Sequence, residues 1–251
     1  MDHAAATGWE RGTGTMVGKP VAETGGLTKR FGRTVVVDGV DLVVRPGTVY
    51  GLLGPNGAGK STTLKMMLGL LKPTSGGVDL FGEPWNRAAL GRIGASVDGP
   101  GLYEHLSAAQ NLGVHAELLG LDRGGIDTAL DIVGLAHTGR KAVRHFSLGM
   151  KSRLALAVAL LGEPELVIVD EPQNGLDPEG IAATRRLLRC IADSGRTVLL
   201  SSHVLAEVAA VADDIGVMAA GRLVYQGSLT DLAPDGDLER AYFALTAGGV
   251  R

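Results

Sequence analysis

The sequence predicts an α/β fold with a mostly parallel sheet, a small antiparallel β layer and an inserted α-helical subdomain. Along the second half of the chain, short apolar runs alternate with segments of helical apolar spacing, the pattern of a parallel sheet covered by helices. Of the 251 residues, 45% are hydrophobic and 20% are charged, so we expect one large domain with its own core. The 38 glycines follow no repeat and indicate tight turns and close approaches of the backbone.

The N-terminal part of the chain contains a tail and the first strands. Residues 1–20 are rich in Gly, Thr and Ala and show no apolar periodicity, so we expect a disordered tail rather than a secretory signal. Met16 offers an alternative start. β-branched residues dominate segments 34–38 and 40–44, which predicts two strands of the small antiparallel layer. Val49–Leu53 predicts a buried strand that leads into a glycine-rich loop.

The rest of the chain predicts a helical insert followed by alternating strands and helices. Helical spacing interrupted by glycines places the insert at about residues 97–150. We assign residues 21–227 to one domain and residues 228–251 to a short C-terminal extension. Helices are predicted at 61–71, 108–119, 127–133, 147–161, 181–192 and 205–212, and the later strands at 166–169 and 197–200.

Composition excludes several classes of protein. The longest unbroken apolar run, residues 154–161, is far shorter than the roughly 18 residues of a membrane-spanning helix. A single cysteine, Cys190, excludes a disulfide framework and fits a reducing compartment. The formal net charge of -3 gives no general basic bias toward nucleic acid, so we expect no nucleic-acid partner.

A phosphate-binding loop is the strongest motif. Segment 54–61 reads Gly-Pro-Asn-Gly-Ala-Gly-Lys-Ser, an ungapped G-x-x-x-x-G-K-[ST] pattern between a predicted strand and a predicted helix. Backbone N–H groups of such a loop and the positive end of its helix bind phosphate, the lysine neutralises the β- and γ-phosphates, and the serine hydroxyl ligates Mg²⁺. We therefore expect ATP and Mg²⁺ as cofactors. The expected ATP-binding residues of this segment are Gly54, Pro55, Asn56, Gly57, Ala58, Gly59, Lys60, Ser61 and Thr62.

Two acids follow the predicted strand at 166–169. An aspartate at such a strand end can hold Mg²⁺ through water, and we expect this role for Asp170. The next residue, Glu171, has the chemistry of a general base that polarises the attacking water. Together with Lys60 and Ser61, these residues predict a nucleotide-hydrolysing site.

A further series of motifs resembles the nucleotide-binding subunits of ABC transporters, from about residue 21 to residue 246. The signature segment reads Phe-Ser-Leu-Gly-Met, in which Ser147 and Gly149 retain two positions of the family pattern L-S-G-G-Q. The resemblance implies that they contact the γ-phosphate held by another subunit. It also implies a D-loop aspartate at Asp177 and a switch histidine, catalytic with Glu171 and Lys60, at His203.

Two other positions depart from the family pattern. Asp98 aligns with the usual Q-loop glutamine and is expected to ligate Mg²⁺ or to order a water, together with Ser61 and Asp170. The acid followed by Gly-Pro resembles the subgroup that exports antibiotics and bacteriocins. Phe31, in front of the first predicted strand, stands where the family stacks an aromatic ring on adenine, and its ring face suits that contact.

The resemblance implies a bacterial ATP-hydrolysing motor subunit on the cytoplasmic face of the cell membrane. Two copies, or one copy and a paralogous ATPase, would meet head to tail around two ATP molecules and drive a separate transmembrane permease. The expected cargo is an antibiotic, peptide or drug-like compound, most simply exported. Three alternatives stay open: an ABC ATPase acting on nucleic acid or the ribosome, a small-metabolite kinase, and a regulatory subunit that binds ATP but barely hydrolyses it.

Overall fold

The computed structural model describes residues 19–99 and 101–246. The predicted disordered tail lies almost wholly outside these residues. The described strands are β1 (Ala22–Phe31), β2 (Thr34–Val40), β3 (Val43–Val44), β4 (Val49–Leu53), β5 (Ser75–Leu80), β6 (Glu83–Pro84), β7 (Ile93–Ser96), β8 (Leu166–Asp170), β9 (Thr197–Ser202), β10 (Asp214–Ala219) and β11 (Arg222–Ser228). The described α-helices are α1 (Lys60–Met67), α2 (Ala108–Leu119), α3 (Ile126–Ile132), α4 (Leu148–Leu160), α5 (Pro178–Asp193), α6 (Leu205–Ala209), α7 (Leu229–Leu232) and α8 (Leu238–Thr246).

A six-stranded, mostly parallel sheet organises the molecule. Its order is β11-β10-β4-β9-β8-β7, and only β11 runs antiparallel to its neighbour. The strand order places the carboxyl ends of β4, β9 and β8 side by side, since Leu53 pairs with Ser202 and Asp170 pairs with Ser201. In parallel sheets this edge is where ligands bind. The predicted α/β class with a mostly parallel sheet is therefore confirmed.

Two hydrophobic cores cover the two faces of this sheet. Alternate residues of β8 face opposite sides, so that Val167 packs with helices α2 to α6 whereas Ile168 packs with the small sheet and α1. Such alternation is the consequence of the two-residue period of a strand. Because both faces are covered, β4 and β9 are buried throughout, which explains their continuous apolar runs.

The small antiparallel sheet is larger than the sequence predicted. It has the order β2-β1-β5-β6, with β3 paired to β1. Sequence patterning missed β1 and β5, which are rich in glycine and polar residues. The buried Thr24 hydroxyl donates to the Val40 carbonyl at 2.8 Å and accepts from Leu42 N–H at 2.9 Å, so hydrogen bonds replace apolar packing there. A Cβ on Gly76 would overlap the backbone of Gly26, so close contact of β1 and β5 requires glycine.

The remaining elements differ from the predictions mainly at their ends. The predicted helix 61–71 ends at Met67 in α1, and Gly69 then takes a positive φ of 69° with the Trp85 ring packed against it. The predicted helix 205–212 is the shorter α6. Strands β6, β7, β10 and β11 and helices α7 and α8 had not been predicted. Helices α2 and α3 lie between β7 and α4, and α2 begins with a capping box formed by Ser107 and Gln110.

The helices of the described residues do not meet the requirements of a membrane-spanning helix. None of their helices combines the length and the apolar character that a membrane span needs.

Candidate active site

The loop between β4 and α1 has the shape of a phosphate cradle. Gly57 and Gly59 take φ values of 81° and 100°, in the region that other residues rarely adopt. A Cβ on Gly59 would lie 2.7 Å from the carbonyl oxygen of Val36, so a larger residue would push the loop away from β2. The exposed stretch from Pro55 to Gly57 leaves the outer side of the loop open to a ligand. Its N–H groups and the start of α1 together favour an anion.

Lys60 is held inside this loop. Its side chain is 5% exposed, and its ammonium donates hydrogen bonds to the carbonyl oxygens of Gly54 at 2.8 Å and Pro55 at 3.3 Å. The same nitrogen lies 3.3 Å from Oε1 of Glu171. A nearly buried ammonium needs a negative partner. Lys60 thus joins the phosphate loop to the acid at the end of β8.

Ser201 holds both acids in place. It is fully buried at the end of β9, and its hydroxyl donates a short hydrogen bond to Oδ1 of Asp170. The hydroxyl also accepts the N–H of Glu171 at 3.0 Å. Sequence reasoning did not identify Ser201, because its contacts depend on the pairing of β9 with β8. The buried hydroxyl thus fixes the Asp170 carboxylate and the backbone of Glu171 before any ligand binds.

Glu171 lies at the centre of the site. Its Oε2 accepts a hydrogen bond from Nδ1 of His203, at 2.8 Å, when that nitrogen carries the proton. Its backbone φ is 49°, an unusual conformation for a non-glycine residue that points to a functional constraint. The structure therefore brings two predicted site residues, Lys60 and His203, to the Glu171 carboxylate, and Asp170 precedes Glu171 at the end of β8.

A magnesium ion fits part of the predicted ligand set. The Ser61 hydroxyl is half-buried at the start of α1, and Asp170 lies at the neighbouring end of β8. A hydroxyl and a carboxylate suit Mg²⁺, which usually keeps several waters and takes only one or two protein carboxylates. No cluster of three or more His, Cys, Asp or Glu side chains able to hold a metal occurs within residues 19–99 and 101–246. The residues present therefore fit a hydrated Mg²⁺ shared with phosphate rather than a closed protein cage.

Asp98 follows β7 and is paired with a lysine rather than with Ser61 or Asp170. Its carboxylate forms an ion pair with the ammonium of Lys65 on α1 at 2.7 Å, and its side chain is 66% exposed. A cavity of about 390 Å³ nevertheless includes Asp98 with Asp170 and Glu171 in its lining. Engagement of Asp98 by a metal would require its release from Lys65.

The other predicted nucleotide contacts lie on β1 and at the N-termini of α4 and α5. Phe31 ends β1, rather than preceding the first strand, and its ring is half-exposed with the Lys29 ammonium 5.1 Å from the ring centre. Ser147 caps α4 by accepting the Met150 N–H at 3.2 Å. Asp177 caps α5 by accepting the N–H of Gly180 at 2.8 Å. Ser147, Gly149 and Asp177 are not among the described residues that line the cavity with the two acids.

Comparison with known proteins decides the family. A family model described as "ABC transporter" matches residues 37–174. The chain is 46% identical over 209 residues to the bacitracin transport ATP-binding protein BcrA of Bacillus licheniformis, a match that covers 81% of this chain and 68% of that protein. The chain belongs to the ABC transporter ATP-binding proteins. This ABC ATPase is also 41% identical over 206 residues to the lantibiotic transport ATP-binding protein SrtF of Streptococcus pyogenes, which covers 80% of this chain and 90% of that protein.

A solved structure described as the ATP binding subunit of an ABC transporter agrees with the fold. It is 30% identical, superposes with a TM-score of 0.78, and the match covers 90% of this chain and 99% of that chain. The predicted family, ATPase activity and resemblance to antibiotic and bacteriocin transport proteins are thus confirmed. The ABC ATPase binds and hydrolyses ATP as a subunit of a transporter complex that includes membrane subunits.

Proposed function

We propose that Glu171 is the general base of ATP hydrolysis in this ABC ATPase. The supporting observation is its carboxylate, which contacts Lys60 at 3.3 Å and His203 at 2.8 Å at one edge of the sheet. When the phosphates of ATP enter the loop, they offer Lys60 a stronger set of negative partners than one carboxylate. Glu171 is then free to accept a proton from the attacking water, while His203 keeps the carboxylate oriented.

Mg²⁺ is the proposed metal cofactor. When bound, it supplies charge neutralisation to the β- and γ-phosphates. The Ser61 hydroxyl and Asp170 are the residues that would hold it, and Asp98 stays a predicted third contact. Ser201 supports this role because its hydroxyl fixes the Asp170 carboxylate. Phe31 is proposed to stack on adenine, and residues 54–62 to surround the phosphates.

A second copy of the chain, or a paralogous ATPase, is proposed to complete the site. Ser147 is exposed at the N-terminus of α4, a helix of 13 residues whose dipole favours an anion. Gly149 and Asp177 lie in the same region. Leu148, between Ser147 and Gly149, lines the cavity that includes the two acids, whereas Ser147, Gly149 and Asp177 do not. A head-to-tail pair would let these three residues contact the γ-phosphate bound by the partner.

A separate permease is the proposed membrane partner. A groove of about 590 Å³ lies between β7, α2 and α4 and has a mostly apolar lining. Leu70, Leu118 and Leu119 contribute to this lining and are 60 to 72% exposed. Exposed apolar clusters of this kind mark interaction sites. An apolar segment of a transmembrane permease would fill the groove and hold the ATPase at the cytoplasmic face of a bacterial cell membrane.

Export of an antibiotic peptide is the proposed task of the complex. The relatives carry names that refer to the transport of bacitracin and of a lantibiotic. The retained catalytic centre of this chain fits an active motor rather than a regulatory subunit. Stimulation of ATP hydrolysis by vesicles that contain a candidate permease is the expected result, and stimulation by RNA in place of such vesicles would contradict the proposed task.

A mixing experiment tests the shared site. Lys60→Ala removes the phosphate lysine, whereas Ser147→Asp keeps a residue that caps α4 well and adds a negative charge that repels the partner's γ-phosphate. Each variant alone is expected to lose ATPase activity. An equal mixture forms heterodimers in which one site is intact, so about one quarter of the wild-type activity returns if subunits pair at random. Failure of the mixture to recover activity, or full activity of Ser147→Asp alone, would contradict a shared site.

A further inference from the structure

Three carboxylates line the cavity at the carboxyl end of β8. Asp98, Asp170 and Glu171 all contribute to its lining. ATP brings further negative charge to this edge of the sheet, so each carboxylate needs a compensating partner if the nucleotide is to bind well. Asp170 is hydrogen-bonded by Ser201, and Glu171 is contacted by Lys60 and His203.

The partner of Asp98 is Lys65. Their carboxylate oxygen and ammonium nitrogen are 2.7 Å apart. Lys65 lies on α1, four residues after Ser61 and therefore one turn along the same helix face. The Lys65 side chain is 26% exposed and the Asp98 side chain is 66% exposed, so solvent screens the pair in part and its strength depends on salt. The helix that presents the phosphate loop at its N-terminus thus presents a positive charge to Asp98 one turn later.

The backbone of this segment forms a turn that places an acid beside α1. Asp98 has a φ of 64° and Gly99 a φ of 87°, so two successive residues adopt the left-handed region. The turn connects β7 to the segment that leads into α2. The ion pair is thus a direct contact between α1 and the beginning of the helical insert.

We propose that Lys65 is a positioning residue for ATP binding, because it neutralises Asp98 and holds the turn at residues 97–99 against α1. With the pair formed, ATP meets a cavity in which this third carboxylate is compensated. Without Lys65, the Asp98 charge is free to repel the phosphates, most strongly once Lys60 has turned from Glu171 to the nucleotide. The inference rests on the proposed phosphate site around Lys60.

Two other interpretations lead to different results. If the pair is an ordinary surface ion pair, removal of Lys65 has little effect on ATP. If Lys65 instead contacts a phosphate directly, its removal weakens binding whether or not Asp98 carries a charge. The proposal alone requires that the effect of losing Lys65 depend on the negative charge of Asp98.

Calorimetric titration with ATP in EDTA tests the proposal without metal or turnover. Lys65→Met is expected to weaken ATP binding about tenfold at low salt, the scale of one uncompensated charge across a partly solvated cleft. Asp98→Asn is expected to bind ATP at least as tightly as wild type. In the double variant, the affinity for ATP is expected to return to within about twofold of the wild-type value. In 0.5 M salt, the loss of ATP affinity caused by Lys65→Met is expected to become smaller, because salt screens the Asp98 charge. Lys72→Met, which removes an exposed lysine beyond α1, serves as the control for overall charge and changes binding less than twofold.

Hydrogen exchange in the nucleotide-free protein provides a second readout. Lys65→Met and Asp98→Asn are each expected to raise the exchange of the amides at residues 97–99, with no further increase in the double variant. Unchanged ATP binding in Lys65→Met, or an equal loss in the double variant, would overturn the proposal. Lys60→Ala separates this outcome from failure of the phosphate site itself: if that variant binds ATP as wild type does, the proposed site is wrong.

Discussion

Phe31→Ala tests the proposed contact with the adenine ring. The side chain is 49% exposed at the end of β1, and the Lys29 ammonium lies 5.1 Å from its ring centre. A fully buried Phe contributes about 1.5–3 kcal/mol to stability, so this half-buried ring contributes roughly half of that. Base stacking on an aromatic ring is worth about 1–3 kcal/mol. ATP binding is therefore expected to weaken by about 5- to 150-fold, while the free energy of unfolding falls by only about 1 kcal/mol.

Calorimetric titration with ATP in EDTA and urea unfolding measure the two effects separately. Phe31→Tyr keeps a ring face and is expected to bind ATP within about threefold of wild type. Phe243→Ala removes a ring that is 56% exposed on α8 and is expected to leave ATP binding unchanged. Phe31→Ala that bound ATP as tightly as wild type, with both controls folded, would refute the stacking assignment.

Three further predictions concern stability and use urea unfolding. The buried Gln173 amide has no hydrogen-bond partner for its nitrogen or its oxygen among the described residues. Gln173→Met is therefore expected to stabilise the protein by about 1–3 kcal/mol, whereas Gln173→Glu is expected to destabilise it. A lower free energy of unfolding in Gln173→Met would contradict this reasoning. A Cβ on Gly94 would overlap the carbonyl oxygen of Ala159, so Gly94→Ala is expected to lower the free energy of unfolding by more than about 3 kcal/mol. A Cβ on Gly77 would meet no atom within 4 Å, so Gly77→Ala is expected to change it by less than about 1 kcal/mol. Burial, and secondarily the charge of Asp214, raises the pKa of Tyr50 well above its usual 10.0, so the folded state favours the neutral phenol. The free energy of unfolding is therefore expected to fall as pH rises above 10, by up to about 1.4 kcal/mol per pH unit from this group. Tyr50→Phe is expected to remove this slope.

The parallel sheet and the catalytic centre could be predicted because their residues carry local patterns. Val49–Leu53 and the run ending at Asp170 are continuous apolar strands, and each leads into residues that we propose bind ATP or Mg²⁺. The small sheet could not be predicted equally well. Its strand β1 depends on Thr24 hydrogen bonds and on glycines that meet β5, and these contacts join segments far apart in the chain.

Contacts between segments far apart in the chain also explain why the sequence did not predict the roles of Ser201 and Lys65. Ser201 gains its role only because β9 lies beside β8, and a serine at a strand end has no such meaning alone. Asp98 was predicted as a metal contact from its alignment with the family, but its ion pair with Lys65 depends on the approach of helix α1 to the turn after β7. The side-chain partner of an exposed acid is set by such tertiary contacts rather than by sequence spacing.

The most direct test of the catalytic account is the steady-state ATPase activity of Glu171→Gln measured with Mg²⁺. Gln keeps the size of the side chain and can still contact His203, but it cannot accept a proton from water. We expect the rate to fall by at least about 100-fold, while ATP binding is retained and an ATP-dependent dimer accumulates in size-exclusion chromatography. Turnover by Glu171→Gln at the wild-type rate would contradict the assignment of Glu171 as the general base.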